Sequence, residues 1–465
     1  MGDLQICGSE NEPIMKRRLF GTDGIRGEAG LFPLDQDTVR KVGAALALSM
    51  QNGGRPLRVA IGRDTRESGV WISKVLLDAL GFCEVNTIWD LGVITTPGLA
   101  FLTRRHKFDL GIMISASHNP YQDNGIKVFG VDGTKLSDEK ELQIEDLVFN
   151  GILPSFSATR EARRARIVYA EDRSEEYVAF LASQVEGDLS AFRVGLDVAH
   201  GAACSIAPRM FRQLGARVEV INDQPDGKNI NQDCGSLHLD PVRRLVCEKG
   251  LDYGVAFDGD ADRSMFITAD GEVFDGDYVI YALSQDLIAK RKLKAKCVVG
   301  TVMTNFALEL ALQRKNIRLV RAAVGDRYVL EEMDKAGANL GGEPSGHIIL
   351  RDLHTTGDGC LTAVMMAGLM AARQVRLEAL VEGFQPFPQL LDALRVKQKI
   401  PLEESPAMVG WIRAAEARLH GAGRVVVRYS GTEPLLRIMA EGNDANLVRV
   451  IVADLKQKFS QLLGS

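Results

Sequence analysis

The chain has 465 residues, 46% apolar and 25% charged, with a formal net charge of −5 at pH 7. This composition excludes disordered and membrane-spanning classes, and the acidic balance argues against nucleic acid or an anionic membrane as partner. So long a chain exceeds one core and points to about three or four domains of about 100–150 residues. Seven cysteines without a Cys-x-x-Cys pair fit buried, reduced thiols in a cytoplasm, and no hydrophobic signal core stands near residue 1.

Residues 1–14 are polar and unpatterned and are expected to form a flexible extension. The first domain is expected over 15–167. It carries Phe20-Gly-Thr-Asp-Gly-Ile-Arg26-Gly27, where flanking glycines let the backbone approach a ligand and Arg26 is placed to neutralise a phosphoryl group. A strand is predicted at 57–62. A second apolar strand, introduced by Asp109-Leu-Gly-Ile, ends at Ser115-Ala-Ser117-His118-Asn119-Pro120. That presents Ser117 on a loop at the carboxyl end of a parallel-type strand, where open α/β sheets place their chemistry. His118 stands beside it and Lys127 follows in Asp-Asn-Gly-Ile-Lys. A serine alone is usually a turn residue. Here other segments supply what a phosphorylated serine needs.

The second domain, over 168–272, repeats the pattern with a strand at 192–198 and the phrase Asp252-Tyr-Gly-Val. It ends in Asp258-Gly-Asp260-Ala-Asp262-Arg263. Carboxylates at i, i+2 and i+4 of an extended loop point the same way and repel unless a cation sits among them. Hard oxygen ligands without His or Cys favour Mg²⁺. The third domain, over 273–383, has a strand at 297–302 and the phrase Asn339-Leu-Gly-Gly, followed by Glu343, Ser345 and His347, groups suited to sugar hydroxyls. Strands alternating with helices mean α/β layers with mixed, mostly parallel sheets. Three equivalent strand ends bearing different polar loops suggest three related domains facing one cleft.

A Pro-rich stretch at 381–388 leads to a fourth segment, 384–465, with an amphipathic helix near 407–419, strands at 424–428 and 435–440, and a helix from 446 to about 463. This is an α+β module. Arg428, Ser430, Gly431, Thr432 and Arg437 offer an anion two guanidiniums, hydroxyls and backbone N–H groups.

Taken in order, the Gly-Thr-Asp-Gly-Ile-Arg-Gly, Ser-Ala-Ser-His-Asn-Pro, Asp-Gly-Asp-Ala-Asp-Arg, Gly-Glu-Pro-Ser-Gly-His and Arg-Tyr-Ser-Gly-Thr-Glu-Pro motifs resemble those of the α-D-phosphohexomutase superfamily. Within it, Val324-Gly-Asp-Arg-Tyr-Val329 and Arg437-Ile-Met-Ala-Glu-Gly442 are most similar to the bacterial branch acting on glucosamine phosphates. The resemblance implies three α/β/α domains and a TATA-binding-protein-like fourth domain around a central cleft. It implies an isomerase that interconverts glucosamine 6-phosphate and glucosamine 1-phosphate through phosphoserine 117 and a sugar 1,6-bisphosphate, which also serves as activator. The product would supply UDP-N-acetylglucosamine and cell-wall precursors. Mg²⁺ would be held by Asp258, Asp260, Asp262 and the Ser117 phosphate. Arg263, Glu343, Ser345 and His347 would bind the sugar, and Arg428, Ser430, Gly431, Thr432 and Arg437 the phosphate not being transferred. Arg26, His118 and Lys127 would stabilise charge and move protons, with Lys127 as base, its pKa lowered by neighbouring positive charge. Pro344 stands where relatives commonly carry Gln or Met. A mannose- or glucose-phosphate mutase, a serine-nucleophile metal phosphatase and a non-catalytic sugar-phosphate binder are the alternatives. Homodimerisation stays open.

Overall fold

The computed structural model describes residues 17–21, 23–50, 55–83, 85–153, 165–430 and 434–464. The expected extension at 1–14 lies outside them. The chain forms two compact units. The larger comprises Lys16–Thr301 and Val320–Glu382; the smaller contains Val302–Leu319 and Gly383–Ser465.

Three sheets build the larger unit. In the first, Leu57–Arg63 runs parallel to both Leu110–Ile114 and Val85–Val93, and Asp123–Phe129 returns antiparallel beside Leu110–Ile114. In the second, Arg193–Asp197 is parallel to Tyr253–Phe257, and Ser264–Thr268 returns antiparallel. In the third, Cys297–Thr301 is parallel to Leu340–Gly342, and Ile348–Leu350 returns antiparallel. The three strands that end in polar loops therefore occupy the same place in their sheets. Leu110–Ile114, Tyr253–Phe257 and Leu340–Gly342 are buried throughout.

The repeated Asp/Asn-x-Gly phrase has a physical cause. Its polar residue ties the strand to its parallel neighbour or, in the third sheet, to the turn just ahead of that neighbour. Asp109 accepts from Arg58 N at 2.8 Å, Asp252 from Arg193 N at 2.6 Å, and Asn339 from Lys294 N at 3.0 Å. Its glycine lets the preceding helix press on the strand. A Cβ at Gly111 would lie 2.2 Å from Thr103 Oγ1, one at Gly254 2.7 Å from Val246 Cγ2, and one at Gly341 2.6 Å from Met333 Sδ. Those contacts come from helices Thr96–His106, Asp240–Lys249 and Asp326–Ala336.

The smaller unit holds an antiparallel sheet in the order Gln389–Arg395, Leu435–Gly442, Gly423–Tyr429. Helices Pro406–Ala417 and Ala445–Leu463 supply Met408, Ile412, Leu455 and Phe459 to its core. Sequence reading did not find Gln389–Arg395. Its positions are exposed or half-buried, and Gln, Leu, Asp and Ala give little strand signal. Arg166–Tyr169 pairs with Val85–Val93 of the first sheet, and 302–319 group with the C-terminal unit. Of the described cysteines, Cys247 is exposed and Cys204 half-buried, so not all thiols are buried as expected. No described helix is long and apolar enough to cross a membrane.

Candidate active site

Ser117 follows Leu110–Ile114 in the left-handed region, at φ 53°, and is buried. Its loop is held by a single arginine. Arg66 is wholly buried and paired with Asp64, Nε to Oδ2 at 2.9 Å. Its Nη2 donates to Ser117 O at 2.8 Å and Asn119 O at 2.9 Å. Its Nη1 donates to Asp123 O at 3.0 Å and to Pro120 O. All five guanidinium N–H donors are thus placed, and the loop's carbonyls turn inward. Asn231, on the segment joining the second sheet's strands, donates Nδ2 to the same two carbonyls, Ser117 O at 2.9 Å and Asn119 O at 3.1 Å. Ser117 Oγ is left facing outward from this cage and donates to Asp258 Oδ2 at 2.5 Å.

Asp258, Asp260 and Asp262 lie in the turn between Tyr253–Phe257 and Ser264–Thr268. All three are buried, with one oxygen from each within 4.8 Å of the others. Burial, then Asp262 and Asp260, push the Asp258 carboxyl well above its usual range. Asp260 Oδ1 has no hydrogen-bond partner, and Asp262 Oδ1 meets only His347 Nδ1 at 3.7 Å and Arg263 Nε at 3.9 Å, beyond hydrogen-bond range. Orphaned buried carboxylate oxygens are costly unless a cation takes them, so this group can hold a metal ion, and its all-oxygen donor set fits a hard one.

Lys127, on the returning strand Asp123–Phe129, reaches Asp260 Oδ2 at 2.8 Å, Asp23 at 3.1 Å and Asp262 at 3.4 Å. Burial lowers its pKa, but Asp23, Asp260 and Asp262 outweigh burial and hold the ammonium well above its ordinary value. This corrects the expected direction. The fold brings three carboxylates to Nζ, against which Arg26 is the weaker neighbour. Arg26, on Gly24–Glu28, pairs with Asp23. Asp23 also takes Lys135, which in turn pairs with Asp326. Burial, Arg263 and Arg26 bring His118 down to about 4. Its ring lies 3.3 Å from Ser117 Oγ through Nδ1.

The loop after Leu340–Gly342 is fixed through its backbone. Glu343 N donates to His347 O at 2.9 Å, Ser264 N to Gly346 O at 3.1 Å, and Gly276 N to Pro344 O at 3.1 Å. Its side chains are less engaged. Glu343 accepts from Gly325 N at 3.3 Å, while Ser345 Oγ and His347 Nε2 have no hydrogen-bond partner; the His347 ring meets only carboxylates at ion-pair range, Asp262 at 3.7 Å and Asp326 at 3.9 Å. Burial raises the Glu343 carboxyl's pKa against His347 and Arg263. For His347, burial is outweighed by Asp262 and Asp326, which raise it to about 8. A cavity of about 420 Å³ is lined by Arg26, His118, Asp262, Arg263, Glu343 and His347 among others. It falls within the size range of small-molecule sites, about 300–1,000 Å³. A larger cavity of about 500 Å³ around Lys135 and Arg327 holds none of these groups and shares only Asp326 with the first.

In the smaller unit Arg428 and Arg437 stand directly opposite each other on neighbouring strands. Two guanidiniums so placed share one face and favour an anion between them. Ser430 is buried, donates N–H to Leu435 O at 2.8 Å and accepts Lys399 Nζ on its carbonyl at 2.5 Å. Gly431 and Thr432 lie outside the described residues.

Sequence reading missed Arg66, Asp64, Asn231, Asp23 and Lys399. Arg66 had a signal, since Arg63-Asp-Thr-Arg66 is a charged string at a strand's carboxyl end. Asp64 lies in the same string, whereas Asn231 and Lys399 take their meaning from distant partners, and Asp23 from Lys127 and Lys135 as well as the nearby Arg26.

Four segments match known domains: residues 17–153, 175–271 and 275–387 match the phosphoglucomutase/phosphomannomutase alpha/beta/alpha domains I, II and III, and 391–458 the C-terminal domain. A phosphoglucosamine mutase of Koribacter versatilis is 48% identical over 96% of this chain and 98% of its own. A phosphoglucomutase/phosphomannomutase family protein of Burkholderia thailandensis shares the fold at TM-score 0.77, with 22% identity over 95% of this chain and 97% of its own. An Aspergillus fumigatus N-acetylphosphoglucosamine mutase, solved in complex with GlcNAc-6P and magnesium, does so at TM-score 0.64, with 16% identity over 94% of this chain and 95% of its own.

Proposed function

The chain belongs to the phosphoglucomutase/phosphomannomutase family, and we propose that it works as a phosphoglucosamine mutase, an isomerase carrying a phosphoryl group on Ser117. The Ser117 Oγ–Asp258 contact carries this reading: a buried hydroxyl, turned out by a saturated loop, sits 2.5 Å from a three-carboxylate group.

Moving phosphate from O6 to O1 of a hexose within one site is geometrically awkward, and a protein-held phosphate avoids it. Phosphoserine 117 gives its phosphoryl group to O1 of glucosamine 6-phosphate; the Oγ–P bond breaks as the O1–P bond forms. The 1,6-bisphosphate turns around and returns its 6-phosphate to Ser117, leaving glucosamine 1-phosphate. Asp258, Asp260 and Asp262 would hold Mg²⁺, which when bound offsets charge on the transferring oxygens. Arg26 lines the cavity and offsets the same charge. Lys127 acts as base only when the carboxylates around it are drawn to another cation, and Arg26 pushes its pKa the same way. Glu343, Ser345 and His347 take sugar hydroxyls, and Arg263 stands beside them. Arg428, Ser430 and Arg437, with Gly431 and Thr432, hold the phosphate not being transferred. We place the enzyme in the cytoplasm with its charged, membrane-impermeant substrates.

Turnover of glucosamine 6-phosphate, glucose 6-phosphate and mannose 6-phosphate, with free phosphate followed in parallel, tests the reading. The amino sugar should isomerise with the highest kcat/KM, without phosphate release, and chelation should stop it until Mg²⁺ is restored. Preference for a neutral hexose would move the chain to the glucose or mannose branch. Stoichiometric phosphate release would make it a phosphatase.

A further inference from the structure

Asp260 is wholly buried, and its two oxygens are treated differently. Oδ2 accepts Thr96 Oγ1 at 2.5 Å and Lys127 Nζ at 2.8 Å, while Oδ1 has no partner. Thr96 grips the same residue twice, because its backbone N–H also donates to Asp260 O at 3.0 Å.

Thr96 is itself held firmly. It is the first residue of helix Thr96–His106, whose start is set by the Thr95 side chain accepting from Gly98 N at 3.1 Å and by Pro97. That helix packs on Leu57–Arg63 and Leu110–Ile114, the latter leading into the Ser117 loop. Thr96 is buried, so its hydroxyl needs a partner. Its β-branch restricts χ1, so the hydroxyl has few other directions to take.

We infer that Thr96 is a positioning residue for the metal group: by occupying Asp260 Oδ2 from the helix packed on the Ser117-bearing sheet, it turns Oδ1 toward the other carboxylates and fixes their distance from Ser117. The inference rests on the metal reading above. Lys127 alone would not do this, since a four-carbon stem lets its ammonium follow the carboxylate. Partners that orient a ligating carboxylate commonly contribute tenfold or more to metal affinity.

Valine in place of Thr96 keeps the shape and the backbone contact and removes only the donor; serine keeps the donor. Mn²⁺ binding to the purified full chain, read by electron paramagnetic resonance, separates the possibilities, with intact mass confirming that all variants carry the same phosphorylation. T96V should bind Mn²⁺ about 10–100-fold more weakly, T96S should stay near wild type, and the kcat of T96V should recover at saturating Mg²⁺. T96V that binds Mn²⁺ like wild type, or that only unfolds at lower temperature, overturns the inference. If valine disturbs folding, weak Mn²⁺ binding by Thr96→Ala supports the inference and wild-type binding overturns it. A wild-type chain that binds no Mn²⁺ overturns the metal reading and this inference with it.

Discussion

The Ser117 loop and the Glu343–His347 loop occupy equivalent strand ends but are finished differently. Around Ser117 the loop's carbonyls are taken up by buried side-chain donors. Arg66 spends its five N–H groups on Asp64 and four carbonyls, and Asn231 adds two more bonds from the second sheet's segment. In the Glu343–His347 loop the backbone is tied down, yet Ser345 Oγ and His347 Nε2 make no hydrogen bond to the protein. On the proposed function, the first arrangement fixes the reacting atom before substrate arrives, and the second keeps donors in reserve for a sugar that binds in two orientations. Pre-organisation serves the transferring group, and unspent hydrogen-bonding capacity serves recognition.

Breaking the first loop should have the largest effect. Arg66→Met leaves Asp64 and several carbonyls buried without their donor. Removing one partner of a buried pair typically destabilises by about 3–5 kcal/mol. Urea unfolding of the variant should show a loss of that size, with activity falling alongside. A loss of only about 0–1 kcal/mol, the range of surface pairs, would mean that the loop does not depend on this arginine.

The segment after the second loop gives a pH test. His354 is buried, and its Nδ1 accepts from Thr355 N at 3.0 Å and Thr356 N at 3.3 Å. Burial, then Arg104, brings its pKa down to about 3, so the folded state keeps the ring neutral. Its contribution is complete above the unfolded value of about 6.5 and is lost as pH falls toward 3. Between pH 7 and pH 5 the wild type should lose about 2 kcal/mol more stability than His354→Asn. Equal losses would assign the acid sensitivity to other groups.

The smallest effect should come from Ser345. Its hydroxyl makes no protein hydrogen bond, so Ser345→Ala should leave the unfolding midpoint unchanged. One lost hydrogen bond to sugar is worth about 0.5–1.5 kcal/mol, so KM should rise about two- to tenfold. An unchanged KM with a shifted midpoint would make this a structural serine and erase the contrast between the loops.

The sequence announced the residues that stand at strand ends. Ser117, the three aspartates and Glu343 each follow the same Asp/Asn-x-Gly phrase, and the phrase marks a real junction because its glycine admits a helix and its carboxylate or amide ties a neighbouring strand or the turn just ahead of it. Arg428 and Arg437 were legible as a pair, but their direct opposition is a matter of register. What stayed hidden depends on contacts between remote segments. Asn231 bonds carbonyls 114 and 112 positions away, and Thr96 meets Asp260 across 164. Lys127 was recognised, yet the direction of its pKa was reversed, because Asp23 and two of the three aspartates converge on it only in the folded chain. The antiparallel strand that carries it follows a Pro-turn loop and shows no alternation, being almost wholly buried.

Intact mass spectrometry tests the central claim most directly. Protein incubated with a sugar 1,6-bisphosphate and then desalted should gain one phosphate group, about 80 Da. Fragmentation should place it on Ser117, and Ser117→Ala should neither gain it nor isomerise glucosamine 6-phosphate. Sustained isomerisation by protein carrying no phosphate on Ser117, or carrying it on another residue, would contradict the account.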